Sequence, residues 1–369
     1  MLGAMAAATR VLTAAAALAA ALCASLLLAA SAGAAGREDA LAQYEATLAD
    51  ARVPAGWTGS TDSCTVGTES QASLGATLDT LNIVRSFAGV GPVTFSAEKN
   101  GRALAAALIM AAQGDLSHEP PATWKCWTAD GFAGARSSNL YLGASGAESM
   151  VGYVNDAGIE SLGHRRWALD PEAMEMGSGS TGSSNALVVL GSGGDGSRAA
   201  ALPADQRVAW PAAGWFPSTW IFEDWSLALG KSQSEDSVSL ADAAVSVKVD
   251  GKDAAVSGLR QASGPYGTGK TLAWQVALPS STAQGDHEID VEVSGVTLDG
   301  APLRISYTVK AFDPTAASGT DDACEKAKAK LAKAKKKLKK ARKGGQPNKI
   351  KSAKKKVKKA KAKVREACD

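Results

Sequence analysis

Three histidines stand in a chain of 369 residues, and two of them, His118 and His164, lie some 46 residues apart in its central region. Two neutral imidazoles converging in a cleft can take a divalent ion such as zinc and leave positions for water. That spacing is no metal signature by itself, and hydrogen-bonded, partly buried histidines are the plainer reading. Asp156 lies between them in sequence and serves equally well as a turn carboxylate or a cleft ligand. Asn139 suits satisfying backbone groups better than touching a ligand. Arg165 and Arg166 follow His164; a solvated or salt-bridged face is the first expectation for them, anion binding the second. Ser117 adjoins His118, but a Ser/His/Asp triad is spatial and adjacency does not make one. No phosphate-binding loop is present.

The start of the chain sets the compartment. Arg10 precedes an Ala/Leu-rich run to Leu28, and Ala30-Ser31-Ala32 supplies small residues at a cleavage site. Residues 1–32 therefore read as a secretory signal peptide, and the mature chain is expected to be secreted, extracellular and without a membrane-spanning stretch. Cys64, Cys126, Cys324 and Cys368 remain after the signal, an even number in an exported chain, with three possible pairings into two disulfides. All four are thereby accounted for, which leaves no cysteine as a nucleophile.

Helical periodicity predicts a helix from Arg37 to about Val53 and another from about Leu74 to Ala88. A third starts at Ser96, a capping residue, carries Glu98 in its first turn and runs to Gly114. A fourth holds Glu148 to Val154, and Ala186 to Leu190 reads as a buried strand. After Pro203 the period changes to two. Val245/Val247/Val249, Leu272/Trp274/Val276/Leu278, Ile289/Val291/Val293 and Leu303/Ile305/Tyr307/Val309 alternate with other residues, with turn signals at Asp250-Gly251 and Asp299-Gly300. Residues 205–312 are expected to form an immunoglobulin-like β-sandwich without an inter-sheet disulfide. Trp210, Trp215, Trp220 and Trp225 crowd its beginning with Pro211 and Pro217; fastening a linker to a neighbouring domain is preferred to stacking on sugars.

Residues 313–322 read as a linker and 323–369 as a Lys/Ala-rich antiparallel helical hairpin. From Cys324 onward there are 21 Lys/Arg against three acids, a net +18, so the +3 of the whole chain hides a body near −15. Cys324, Ala327, Leu331, Ala334, Leu338 and Ala341 are spaced three and four apart, as are Ile350, Ala353, Val357, Ala360, Val364 and Ala367. Folded about Gly344-Gly345, the two seams pair a large residue with an alanine in layer after layer. Cys324 then meets Cys368 at the open end, which leaves Cys64 for Cys126.

Between Leu74 and Leu190 the chain resembles the CAP superfamily (cysteine-rich secretory, antigen 5 and pathogenesis-related 1 proteins), in particular its bacterial secreted members. The resemblance rests on Leu81-Asn82-Ile83-Val84-Arg85 with Gly91-Pro92-Val93, the Ala-rich run Ala103 to Ala112, Leu116-Ser117-His118, Tyr153-Val154-Asn155-Asp156, Gly163-His164-Arg165-Arg166-Trp167 and Met176-Gly177-Ser178-Gly179. It implies an α-β-α sandwich over residues 37–200, within an α+β chain, and a cleft holding His118, His164 and Asp156. Where the family has Gly-Glu-Asn, this chain has Ser137-Ser138-Asn139, so Ser138 replaces a glutamate and the implied cleft loses a carboxylate.

These readings favour a non-enzymatic binding protein, its cleft (His118, Ser138, Asn139, Asp156, His164) taking a small hydrophobic or peptide ligand. The basic tail would anchor it to anionic cell-wall or extracellular polymers. The alternative is a metal-dependent hydrolase or peptidase using His118 and His164. No Phe, Tyr or Trp follows Asp322, so sequence-specific nucleic-acid reading is not expected.

Overall fold

Residues 36–230, 237–316, 319–343 and 347–368 are described by the computed structural model; the expected signal peptide, residues 1–32, lies outside them. Helix α1 spans Arg37–Asp50. Helix α2, Gln71–Phe87, begins where the Ser70 hydroxyl accepts from the Ser73 amide. A short strand β1, Thr94–Phe95, leads to α3, Ala97–Gln113. Ser96 caps α3 by accepting from Lys99 N, Glu98 sits in the first turn, and Gly114 ends it at φ 74°. Then follow α4 (Ala129–Ser137, capped by Thr128), β2 (Ser138–Leu142), α5 (Ala147–Asn155), α6 (Gly163–Ala168), β3 (Glu175–Ser180) and β4 (Ser184–Val188). Sequence periodicity does not foretell α4, whose Gly131 and Gly134 dilute the helical signal.

The strands form one sheet in the order β1-β3-β4-β2, parallel only between β1 and β3. Its two faces bury different helices. Ala186 and Val188 join Ala103, Ala106, Ile109 and Met110 of α3 and Ala135 of α4. Leu187, pointing the other way on β4, joins Leu81 and Val84 of α2 and Met150, Tyr153 and Val154 of α5. Helix α3 comes so near the sheet that a Cβ on Gly177 would fall 2.2 Å from Lys99 Cβ, and one on Gly179 2.1 Å from Leu104 N. Glycine at those two points of β3 is what allows the approach. The Cys64–Cys126 disulfide ties the segment before α2 to the loop before α4.

A short helix α7, Ser197–Ala201, precedes the all-β part. Strands β5 (Arg207–Trp210), β7 (Asp224–Leu229), β11 (Val256–Gln261) and β12 (Lys270–Val276) make a sheet ordered β11-β12-β7-β5. A second sheet runs β10-β9-β13-β14-β6, with β8 on β13. It comprises β6 (Gly214–Pro217), β8 (Val238–Ser239), β9 (Ala244–Val249), β10 (Lys252–Ala254), β13 (Asp286–Leu298) and β14 (Ala301–Phe312). Leu227, Leu272 and Trp274 of the first sheet share a buried cluster with Val247, Val249, Ile289, Val291 and Ile305 of the second.

The tryptophan stretch differs from the expected linker. Trp210 and Trp225 lie on β5 and β7 and are buried, because a large ring fills the space between sheets that shorter side chains leave. Trp220 does fasten the two parts together: its ring lies 5.4 Å from Tyr44 of α1 and 5.2 Å from Phe87 of α2, both edge-on.

Helices α8 (Gly319–Lys343) and α9 (Pro347–Cys368) close the chain and pack against each other. Helix α8 starts within the stretch assigned to a linker. Ala327 and Ala353 are buried, the other described seam residues from Leu331 to Val364 are half-buried, and the described lysines are exposed. The side chains of Cys324 and Cys368, whose pairing the registry calls for, lie outside the described residues. Among the described residues no helix is long and apolar enough to cross a membrane.

Candidate functional site

Helix α5 ends at Asp156, which adopts the left-handed conformation, φ 51°, and sends its amide back to Gly152 O. This turn aims the carboxylate at the start of α6. Asp156 Oδ2 accepts from the amides of His164 (2.9 Å) and Arg165 (3.2 Å), two of the donors a helix start leaves unpaired. Asp156 Oδ1 lies 2.7 Å from His164 Nδ1. The carboxylate accepts there, so Nδ1 carries the hydrogen and the neutral ring keeps its lone pair on Nε2. Asp156 thus acts as both turn carboxylate and orienter of the imidazole.

His118 reaches the same state from the other side. Its Nδ1 is 3.0 Å from the carbonyl of Ala135, on α4, and a carbonyl only accepts. Nδ1 therefore donates and Nε2 again holds the lone pair. The two rings lie 6.5 Å apart, tilted by 36°. Behind them the Tyr153 ring packs 5.8 Å from His164, and its buried hydroxyl donates to Asn185 Oδ1 at 2.9 Å. Burial holds that phenol well above its ordinary pKa. Asn139 gives its amide to His164 O at 2.9 Å, so it braces the backbone of α6. Ser138, at the head of β2, has a buried hydroxyl with no hydrogen-bond partner.

His118, Ser138, Asn139 and His164 line a cleft of about 600 Å³. Ile159, Trp167, Val189 and Leu190 make its apolar sides, and Pro265 and Tyr266 reach it from the β11–β12 loop. Sequence reasoning missed those two, which stand about 100 residues from His164 among strands of another part; no local signal marks them.

Arg165 and Arg166 are neither solvated nor free for an anion. Arg165 is fully buried, donating to the carbonyls of Val154 (2.6 Å), Asn155 (3.1 Å) and Asp224 (2.8 Å) and to Ser226 Oγ (3.1 Å). Arg166 donates to the carbonyls of Ser161, Ser263 and Gly264. Burial pulls both guanidinium groups down to about 10, so they stay charged at neutral pH.

Zinc does not fit these residues as they stand. Zn–N bonds of about 2.0–2.1 Å put the ring centres of two imidazoles on one tetrahedral ion roughly 5 Å apart, closer than the rings here. A catalytic zinc takes three protein ligands, and Asp156 is already committed to His164 and two amides. Among the described residues no group of three or more His, Cys, Asp or Glu converges as metal donors.

A helix-sheet-helix domain with two oriented imidazoles in an apolar cleft is the class of protein these elements define. Residues 78–190 match the Cysteine-rich secretory protein family (CAP), so the chain carries a CAP domain over that stretch. No curated protein matches the chain.

Proposed function

We propose that this is an exported, non-enzymatic binding protein. Its CAP cleft takes a small apolar ligand, its all-β part serves as an immunoglobulin-like spacer, and its basic helix pair holds it to anionic polymers outside the cell. One observation carries the cleft reading: both imidazoles present an Nε2 lone pair to a largely apolar space, while the nearest carboxylate, Asp156, is consumed in orienting one of them. Proton transfer or metal-assisted hydrolysis calls for a carboxylate or a third ligand free to act, and Ser138 stands where the family carries a glutamate. Such a constellation suits holding a ligand better than breaking one.

The test is a paired titration of the mature protein and its His118→Ala variant, with zinc chloride and with the neutral fluorophore N-phenyl-1-naphthylamine. The expected result is saturable uptake of the fluorophore, weakened in the variant, with less than one zinc held per chain. One tightly held zinc per chain, lost with His118, would overturn the reading in favour of a metal-dependent hydrolase.

A further inference from the structure

The wall that Pro265 and Tyr266 supply is fixed in place from behind. Arg166 Nη1 donates to Ser263 O at 2.6 Å and Nη2 to Gly264 O at 2.9 Å, which clamps the loop's entry. The same guanidinium lies 4.9 Å from the centre of the Tyr266 ring, within cation–π range. The ring meets Trp167 edge-on at 6.3 Å. Its contact with α6 is so close that a Cβ on Gly163 would sit 3.2 Å from Tyr266 Cζ. The loop's exit is seated as firmly, since a Cβ on Gly267 would fall 2.6 Å from Trp167 Cε3 and 2.8 Å from Asp170 Cβ. A further strut comes from Arg260, whose Nε donates to Glu160 O at 3.2 Å. Arg166, two residues after His164, therefore spends two of its guanidinium hydrogen bonds on positioning a loop from the β part.

We infer that the β11–β12 loop is an integral wall of the cleft. Tyr266 is a specificity-determining residue that selects a flat, neutral, apolar molecule carrying one O–H or N–H donor. This rests on the cleft reading above and adds the ligand class to it. The polar end offers two acceptor nitrogens, which welcome a donor and repel a carboxylate or sulfonate. The cations nearby do not reverse that preference: the Arg165 and Arg166 guanidinium groups donate to carbonyls, and Arg136, which also lines the cleft, is paired with Glu119 at 3.5 Å. Opposite lie aromatic and aliphatic surfaces, with the Tyr266 ring held on the Arg166 and Trp167 side chains so that little rotamer freedom is left to lose on binding. The tyrosine acts through its ring, so phenylalanine should replace it.

Two probes that share one scaffold test this: N-phenyl-1-naphthylamine, neutral with one N–H, and its sulfonated relative 1-anilinonaphthalene-8-sulfonate. Each is titrated into the wild type, Tyr266→Ala, Tyr266→Phe and His118→Ala, with circular dichroism confirming that each variant is folded. The neutral probe should bind the wild type at least tenfold more tightly than the anion. Tyr266→Ala should weaken it about tenfold, the scale of one lost aromatic contact and its burial, and Tyr266→Phe should leave it unchanged. Equal binding by Tyr266→Ala, with weakening by His118→Ala, would overturn the loop wall and spare the cleft. The anion binding as tightly as the neutral probe would overturn the ligand class. Failure of the neutral probe to saturate the wild type would overturn both this inference and the cleft reading.

Discussion

The third histidine, His287, shows what a ring does when all its partners are acceptors. Its Nδ1 lies 2.7 Å from Asp250 Oδ2, and its Nε2 is 2.9 Å from the carbonyls of both Ser281 and Gln284. Only the imidazolium donates on both sides, whereas at His118 and His164 only Nδ1 meets an acceptor. The hydrogen bond to Asp250 raises the His287 pKa from 6.5, and the same bond lowers that of Asp250 from 3.8. The two shifts set a window. The raised histidine contributes stability that is whole below pH 6.5 and fades as pH rises through its folded value. The lowered carboxylate contributes stability that is whole above pH 3.8 and fades as pH falls through its folded value. Asp250→Asn should therefore lower the melting temperature more near pH 5, where His287 is charged, than near pH 9, where only the carboxylate's share, including its bond from the Glu288 amide, remains. A pH series of thermal melts decides it, and a deficit that is flat with pH would show that the pair is not ionised as described.

At the scale of elements, a polar tie between the CAP domain and the all-β part passes through α6, beside the aromatic contacts of Trp220. Arg165 saturates the last carbonyls of α5 and reaches Asp224 and Ser226 on β7 from a fully buried position. Removing a buried charge's hydrogen-bonding arm strands its acceptors, a loss of about 3–5 kcal/mol. Arg165→Ala should show that loss in a denaturant midpoint and split one unfolding transition into two as the parts separate; a single transition at the wild-type midpoint would contradict the tie. The Cys64–Cys126 bridge closes a 62-residue separation, and Cys126→Ser should remove about 4 kcal/mol by the chain-entropy estimate, read by the same titration. What could be read from sequence follows from range. Ser96, Glu98 and Gly114 announce α3 because capping is settled within one turn, and Val247, Trp274 and Ile289 announce strands because burial on one face imposes a period of two. The motifs carrying His118, Asp156 and His164 mark the cleft's polar end. Tyr266, the clamping role of Arg166 and the burial of Trp210 and Trp225 between sheets depend on contacts between distant segments, which no local pattern encodes.

The whole molecule divides its charge as it divides its labour. A body near −15 carries a helix pair near +18, and the two do not cancel locally because the described lysines of α8 and α9 are exposed. The apolar seam of each helix is spent on the other, with Ala327 and Ala353 buried, so the pair retains little apolar surface to sink into a bilayer. It also lacks aromatic rings to stack on bases. What it offers is a rigid, sequence-blind array of ammonium groups, which suits a polymer of repeating phosphates or carboxylates. Because these charges face water, their attraction is screened over about 8 Å at physiological ionic strength. The chain with its helix pair should accordingly bind isolated cell walls or immobilised polyphosphate at low salt and come off as salt rises, while a chain ending at Asp313 should stay in solution throughout. The acidic body adds a sharper expectation: the shortened chain, left with the negative balance, should be repelled and recovered in the first wash. Equal retention of the two chains, or retention of the longer one that ignores salt, would rule out the anchor and leave the helix pair as a folded appendage without a target.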